Sequence, residues 1–332
     1  MDRTLVPLGH TPPRPLDLQQ LRSELTALWR DEGKGVSRAC HATLVLMVSP
    51  GEDPDPLLDD LVLTHPSRVL RVEHDAKLPP RDVVAWASGC CMKRSSGMLV
   101  CSETLHFLTG EEAEDRLPSI VRSLAVSGVP LAVISRGPSP LHLSWVDELG
   151  DDVDVIVGRS GGLDLIEAQE LWRESVKRTG LPRVEDVTWD ELRPWRTAIQ
   201  STFDRADNVA RLQALSQVKI EIGQRPEPSP AGWLLAGWLG SRLGWKRTRK
   251  LGANRIQVER PGGLTILELQ SAPASDTVTL RFEDESEPLT WVSKELRTET
   301  PSAPLSRTLH RHDFSPVAVA ARNMALELAE DT

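Results

Sequence analysis

Four cysteines, a pair of histidines and one glycine-bearing turn carry the residue types with chemical potential in this chain of 332 residues. Cys90, Cys91, Cys101 and His106 lie close together in sequence. Structural zinc sites favour a C-x2-C-like spacing, and adjacent cysteines are awkward to aim at one ion. If residues 98–107 form a strand, Cys101 and His106 point to opposite faces, which separates them further. Lys93 and Arg94 beside Cys90 and Cys91 would favour a thiolate, so redox sensing is the sharper reading of that pair. Four cysteines in a chain this long make no disulfide framework, so plain reduced thiols in a cytoplasmic protein, Cys40 included, are the expectation. "LHRHDF" (309–314) sets His310, His312 and Asp313 before the last helix. Two histidines at i and i+2 offer a metal pair, but a solvated loop is the more ordinary reading. No metal and no cofactor are expected.

Phosphate and nucleophile chemistry fare no better. No G-x-G-x-x-G follows a strand, and no G-x-x-x-x-G-K-[ST] is present. "VGRSGG" (157–162) is the nearest candidate, a turn between a strand and a helix whose N-terminus suits an anion. There is no G-x-S-x-G and no cysteine in a recognised nucleophile motif. The basic run "KRTRK" (246–250) reads as a solvated helix end, with an anionic partner as the alternative. With 39 basic and 48 acidic side chains, the net charge of −9 argues against a general nucleic-acid binder. The residues by themselves give no active site, which tilts the reading toward a binding protein.

These side chains need a scaffold, and the hydrophobic pattern supplies one. A proline-rich leader (1–16) reads as irregular, without the basic and apolar regions of a secretion signal. "DLQQLRSELTALWRDEG" has leucines at helical spacing and a glycine stop. Short apolar runs at 41–49, 67–74, 130–135 and 152–158 read as buried strands alternating with helices, including 111–127 and 163–179. Two further strands flank the Cys90–Cys91 region. This is an α/β domain with a largely parallel sheet, over 17–183. "DVTWDELRPWRTAIQSTFD" (186–204) follows as a helical connector (184–208). Thr188 is its expected N-cap with Glu191 three residues on, and Pro194 predicts a kink or two short helices. From 209 to 332 the period becomes two, in "SQVKIEIG", "NRIQVER", "LTILELQ" and "DTVTLRFED". "RPGGL" signals a hairpin and a helix closes the chain: an α+β domain with an antiparallel sheet.

The stretch "AGWLLAGWLGSRLGW" (231–245) holds three tryptophans. Its uninterrupted small and apolar run is ten residues, Ala231 to Gly240, against the roughly 20 a membrane span needs. It reads as a soluble helix with Leu234, Trp238, Ser241 and Trp245 on one stripe. Gly237, Gly240 and Gly244 lie on a neighbouring stripe. Each glycine inside a helix costs about 1 kcal/mol against alanine, so three aligned glycines imply close approach of another backbone. Packing within the domain and a surface for a partner are both readings of this helix.

Five segments in order, "THPSRVLRV", "CSETLHF", "VTWDELRPWRTAIQSTFD", "VKIEI" and "LLAGWLGSRLGW", resemble the glucose-6-phosphate dehydrogenase assembly protein family, OpcA. The resemblance covers most of the chain, from the first helix to Trp245 and more loosely beyond. It implies a protein without catalysis of its own. Such a protein associates with glucose-6-phosphate dehydrogenase and promotes its active oligomer, at the entry to the oxidative pentose phosphate pathway. No nucleic-acid or membrane partner is implied. The matching positions are His65, Pro66, Ser67 and Arg68; Cys101, Ser102 and Glu103; Trp189, Pro194, Trp195 and Arg196; and Trp238, Arg242 and Trp245. Trp and Arg are enriched at binding hot spots. Trp189, Trp195, Arg196, Trp238, Arg242 and Trp245 are therefore expected to bind the partner or support its surface, while His65, Ser67, Arg68, Cys101 and Glu103 carry no assigned role. The strand "ACHATLVLMV" and the Cys90–Cys91 loop depart from the family's pattern. The rival reading is an α/β enzyme or binding protein for a sugar phosphate or nucleotide, with Arg68, Arg136 or Arg159 on the phosphate.

Overall fold

A computed structural model of the protein describes residues 5–30, 36–38, 40–49, 57, 60–61, 64–93, 99–178, 180–204, 206–272, 274–283, 285, 287–296, 299–311 and 315–330. Two compact units emerge, and neither is contiguous in sequence. The first takes Met1–Gly158, Arg178–Glu185 and Thr300–His310; the second takes Arg159–Lys177, Asp186–Glu299 and Arg311–Thr332.

The first unit is built on β1 (Leu5–His10), β2 (Arg14–Pro15), β3 (Val36–Arg38), β4 (Thr43–Val48), β5 (Arg68–His74), β6 (Val83–Lys93), β7 (Leu99–Thr109), β8 (Leu131–Ser135), β9 (Val155–Gly158) and β10 (Arg183–Asp186). Their order is β1-β6-β7-β5-β4-β8-β9-β10, with β2 also on β6 and β3 also on β7. From β7 through β5, β4 and β8 to β9 every pairing is parallel, while β6 joins β7 antiparallel. The largely parallel sheet expected from the buried apolar runs is therefore present. β4 shows why: five of its six side chains are buried, as a strand covered on both faces requires. Helices α1 (Leu18–Arg30), α2 (Leu117–Leu124) and α3 (Ser144–Leu149) belong to this unit. α2 buries Leu117, Ile120, Val121 and Leu124, a stripe at helical spacing.

Within the proline-rich leader, Leu5–His10 and Arg14–Pro15 form strands where irregular chain was expected. Residues 5–10 pair antiparallel with β6, and Thr11 donates its amide to the Ala87 carbonyl at 2.8 Å. An edge strand is held by backbone hydrogen bonds on one side only, so it tolerates proline and needs little apolar alternation.

The second unit holds α4 (Leu165–Lys177), α5 (Val187–Glu191), α6 (Arg193–Thr202), α7 (Ala206–Arg211) and α8 (Pro230–Leu243). Its sheet runs through β11 (Leu215–Glu221), β12 (Lys246–Gly252), β13 (Arg255–Arg260), β14 (Gly263–Gln270), β15 (Thr277–Phe282) and β16 (Leu289–Val292). The order is β12-β13-β14-β11-β15-β16. All neighbours are antiparallel except β11 and β14, which run parallel. The helix Ala303–His310 of the first unit is α9, and Pro316–Ala329 of the second is α10. The "RPGGL" hairpin forms between β13 and β14, where Gly262 sits at φ 97°, a region closed to most side chains.

"KRTRK" is not a helix end. Helix α8 stops at Gly244, which adopts φ 65° as its left-handed cap, and the basic run becomes β12 at the sheet edge. Charged side chains on an edge strand deter further pairing, so an almost wholly exposed strand carries no apolar period to detect. No helix among the described residues is long and apolar enough to cross a membrane.

Candidate functional site

The turn after β9 is the first place to look for a ligand, and its donors are already engaged. Ser160 gives its amide to Asp186 Oδ1 at 3.0 Å and its hydroxyl to Asp186 Oδ2 at 2.6 Å. Thr188 donates its amide to the same Oδ1 at 3.0 Å, and the Trp172 indole donates to Oδ2 at 3.0 Å. The Gly161 amide goes to Thr188 Oγ1 at 2.8 Å. Asp186 and Ser160 are both completely buried. A buried carboxylate is tolerated when donors surround it, and here it has four. The phosphate reading of "VGRSGG" is thus corrected: the protein's own Asp186 is the anion on this turn. Arg159 is held by Glu191 at 2.8 Å.

Asp186 also caps α5, two residues before the expected Thr188 cap. Thr188 instead spends its hydroxyl on the Gly161 amide. Pro194, the second residue of α6, separates α5 from α6, so the expected pair of short helices forms. Across this break the Arg196 guanidinium lies over Trp189, 3.6 Å from the ring centroid, and Nη1 donates to the Trp189 carbonyl. Asp190 accepts from Arg311 at 2.6 Å. Trp189 and Trp195 are buried, and Arg196 is half-buried. The corner is therefore an arginine laid on a tryptophan floor.

Helix α8 is packed on all sides along its apolar run. A Cβ on Gly237 would meet the Ala321 carbonyl at 2.3 Å and the Ala325 amide at 2.7 Å, both in α10. A Cβ on Gly240 would meet the Met324 Cγ at 2.8 Å and the Trp245 ring at 2.9 Å. The implied close approach is real for these two glycines, while Gly244 serves as the cap. Trp238 and Trp245 are buried, and Arg242 is exposed. Beside the start of α8 lies a groove of about 660 Å3, lined by Ile166, Arg225, Pro226, Pro228, Pro230, Trp233 and Asn254 among others. Ile166, one of its lining residues, is 70% exposed.

In the first unit, β5 and β7 run side by side with Arg68 opposite Glu103 in the register. The two form an ion pair, and Arg68 Nη1 donates to the Leu124 carbonyl at 2.7 Å. The segments "THPSRVLRV" and "CSETLHF" are thus one structural unit. Ser67 donates its hydroxyl to the His65 carbonyl at 2.9 Å and its amide to Ser102 Oγ at 3.2 Å. With Arg68 held by Glu103 and Arg159 by Glu191, the phosphate-binding reading loses two of its arginines to internal carboxylates.

The thiol reading also changes. β6 and β7 place Cys91 directly opposite Cys101, with Cα atoms 3.9 Å apart, and the two form a disulfide. Cys40 and Cys90 stay outside it. Burial pushes the Cys40 thiol pKa up, ahead of a smaller opposing effect of Arg68. The pairing escaped the sequence reading because it depends on the register of a hairpin, and a one-residue slip would have destroyed it. Arg94 lies outside the described residues, as do His312 and Asp313.

Two histidine environments stand out. His106 stacks on Trp86 with ring centroids 4.7 Å apart, and its Nε2 meets Ser88 Oγ at 2.8 Å. Burial lowers its pKa to about 4, with Arg71 and His10 adding to the effect. His41, His65 and His310 form the other group, each offering a ring nitrogen within 4.8 Å of the rest. Burial, then His310 and His41, lowers the His65 pKa to about 4, so its ring is neutral at pH 7.

Residues 182–326 match the family described as the C-terminal domain of a glucose-6-phosphate dehydrogenase subunit. Two curated relatives are named OxPP cycle protein OpcA. That of Synechocystis sp. is 21% identical over 199 residues, 59% of this chain and 41% of its own length. That of Synechococcus elongatus is 25% identical over 171 residues, 50% of this chain and 37% of its own length. The matches thus span well under half of either relative. Among solved structures, the WlbA (WbpB) dehydrogenase from Thermus thermophilus covers 88% of this chain and 96% of its own at 12% identity and a TM-score of 0.49. Scyllo-inositol dehydrogenase from Lactobacillus casei has the same coverages at 11% identity and a TM-score of 0.45. Nothing about the site rests on either.

Proposed function

We propose that the chain, whose residues 182–326 match the C-terminal domain of a glucose-6-phosphate dehydrogenase subunit, is an OpcA-type, non-catalytic partner of glucose-6-phosphate dehydrogenase that promotes the enzyme's active oligomer. Through that enzyme it supports NADPH formation in the oxidative pentose phosphate pathway. The observation that carries the reading is the match of this segment to a domain described as part of a dehydrogenase subunit.

The second unit has the surface chemistry for the task. Ile166, Val209, Leu251, Leu264 and Val317 are its exposed large aliphatic side chains, against Leu181 alone in the first unit, among the described residues. Arg242 stands exposed and Arg196 half-exposed over Trp189, while Trp195, Trp238 and Trp245 are buried. The tryptophans act by holding the surface, and the arginines and aliphatic groups meet the partner. An activator works only by binding the active assembly more tightly than the inactive one, and about 1.4 kcal/mol of preference shifts that equilibrium tenfold.

The test mixes the purified protein with the dehydrogenase of the same organism and follows NADPH formation alongside the mass of the complex by light scattering. Faster turnover with a larger species is expected, and Ile166→Glu or Arg242→Glu should weaken both in a protein that stays folded. No complex and no rate change, with the disulfide either oxidised or reduced, would remove the proposal.

A further inference from the structure

We propose that His41, His65 and His310 form a binding site for a zinc-class divalent metal ion within the first unit, with a fourth coordination position open to water. The three residues come from separate parts of the chain. His65 precedes β5, His41 precedes β4, and His310 is the last residue of α9.

The backbone brings them together before any ion is needed. The His41 amide donates to the Pro66 carbonyl at 2.8 Å, which ties the approach to β4 against the residue after His65. The start of α9 is anchored on the same segment. Asp60 accepts from the Ser302 amide at 2.9 Å and from its hydroxyl at 2.6 Å, and the Ser302 and Thr64 hydroxyls meet at 2.9 Å. With one end of α9 fixed beside Thr64, its other end carries His310 to His65.

The geometry of the rings suits an ion. His65 Nδ1 lies 3.3 Å from His310 Nε2. Two nitrogens each about 2.0–2.1 Å from a tetrahedral ion stand about 3.3 Å apart. His310 Nδ1 is 2.7 Å from the Ser306 carbonyl, so it carries the proton and leaves Nε2 with a lone pair facing the cluster. A histidine whose second nitrogen donates to a backbone carbonyl is the usual outer support of a metal ligand. His65 Nε2 is buried and finds no hydrogen-bond partner among the described residues. An ion between the two rings would take the lone pair of His65 Nδ1, which faces His310 Nε2, and leave the proton on His65 Nε2. His41 is exposed, so its ring can turn to close the set from its present 4.8 Å spread while Ser306 holds His310 in place. Three neutral imidazoles favour a borderline transition ion over calcium or magnesium, which take oxygen ligands.

Such an ion would clamp the end of α9 to the strands of the first unit. This proposal does not depend on the dehydrogenase partnership. Tag-free protein is titrated with Zn(II) by calorimetry and with Co(II) by visible absorption. One equivalent, a tetrahedral Co(II) spectrum and a higher melting temperature with Zn(II) are expected. His41→Ala and His310→Ala replace exposed side chains and should each weaken binding at least tenfold while preserving the circular dichroism spectrum. His142→Ala, on a different turn, should leave affinity unchanged. Absence of stoichiometric binding overturns the site. So does binding that survives both alanine variants, since the ion then sits elsewhere.

Discussion

Ser160 donates twice to Asp186, through its amide at 3.0 Å and its hydroxyl at 2.6 Å, and so locks the turn before α4 to the start of α5. Trp172 and Thr188 complete the shell. Asp186→Ala would strand these donors in a buried site, at about 1–3 kcal/mol each where no replacement partner forms. A loss on the order of 4 kcal/mol or more is expected from urea unfolding. Asp186→Asn keeps the Oδ1 acceptor for the two amides but turns an N–H toward the Trp172 indole, so an intermediate loss is expected. Equal midpoints for wild type and Asp186→Ala would show that the shell contributes little.

Two glycines of α8 give opposite expectations for the same substitution. Gly237→Ala forces a methyl to 2.3 Å from the Ala321 carbonyl, so α8 and α10 must separate. Overpacking of this kind costs about 1–3 kcal/mol or more. At Gly232 the nearest atoms are Leu269 Cδ2 at 3.5 Å and Ile220 Cγ2 at 3.6 Å, which is ordinary contact. Gly232→Ala is therefore expected to be neutral or to stabilise by up to about 1 kcal/mol through helix propensity. Melting curves of the two variants side by side decide the matter, and a destabilised Gly232→Ala would contradict the packing described.

Stability should fall with acid through His106. Its folded pKa is lowered to about 4, from an ordinary value of 6.5, by burial first and then by Arg71 and His10. The unfolded chain therefore binds the proton more readily, and folding stability is lost as pH falls from about 6.5 toward about 4. The full difference is on the order of 3 kcal/mol. Arg71 faces the ring from β5 and is itself paired with Glu73, while Ser88 meets the opposite nitrogen. His65 shifts the same way, so the contribution of His106 is read as the difference between wild type and His106→Asn across that range. Parallel curves for the two proteins would rule His106 out as a source.

Thiol counting checks the cross-strand pair. Alkylation of the unfolded protein without reductant should label Cys40 and Cys90 only, and reduction should bring Cys91 and Cys101 into reach. In the folded protein at neutral pH, Cys40 should react slowly because burial keeps it protonated. Four labelled cysteines before reduction would contradict the disulfide.

Much of the fold was legible because burial writes itself into sequence. The apolar runs "LVLMV" and "LAVIS" are sheet-centre strands, and the aligned Gly237 and Gly240 announced the approach of α10. What escaped was whatever burial does not encode. β1 and β12 are edge strands held by backbone pairing, one interrupted by Pro7 and the other rich in charge. The cap of α5 fell on Asp186 because a carboxylate already gathering Ser160 and Trp172 could also take the Thr188 amide. The partner-facing role given to the tryptophans has to be read against their burial, since spacing alone cannot separate core from surface. The histidine cluster was invisible because His65 and His310 are 245 residues apart and meet only through the route of the chain.

That route governs how the protein can be made. The chain passes from one unit to the other at 158/159, 177/178, 185/186, 299/300 and 310/311. A ribosome delivering roughly 5–20 residues per second releases the strands of the first unit before α9, which follows the whole sheet of the second unit. The second unit likewise waits for α10, whose backbone fills the space against Gly237. Each unit is complete only once a segment lying beyond part of the other has been made. A fragment that begins at residue 182 would omit both Ser160 and Trp172, leaving Asp186 without three of its four donors. Each unit draws on chain that the other interrupts, so a fragment that keeps one of them whole must also carry segments of the other.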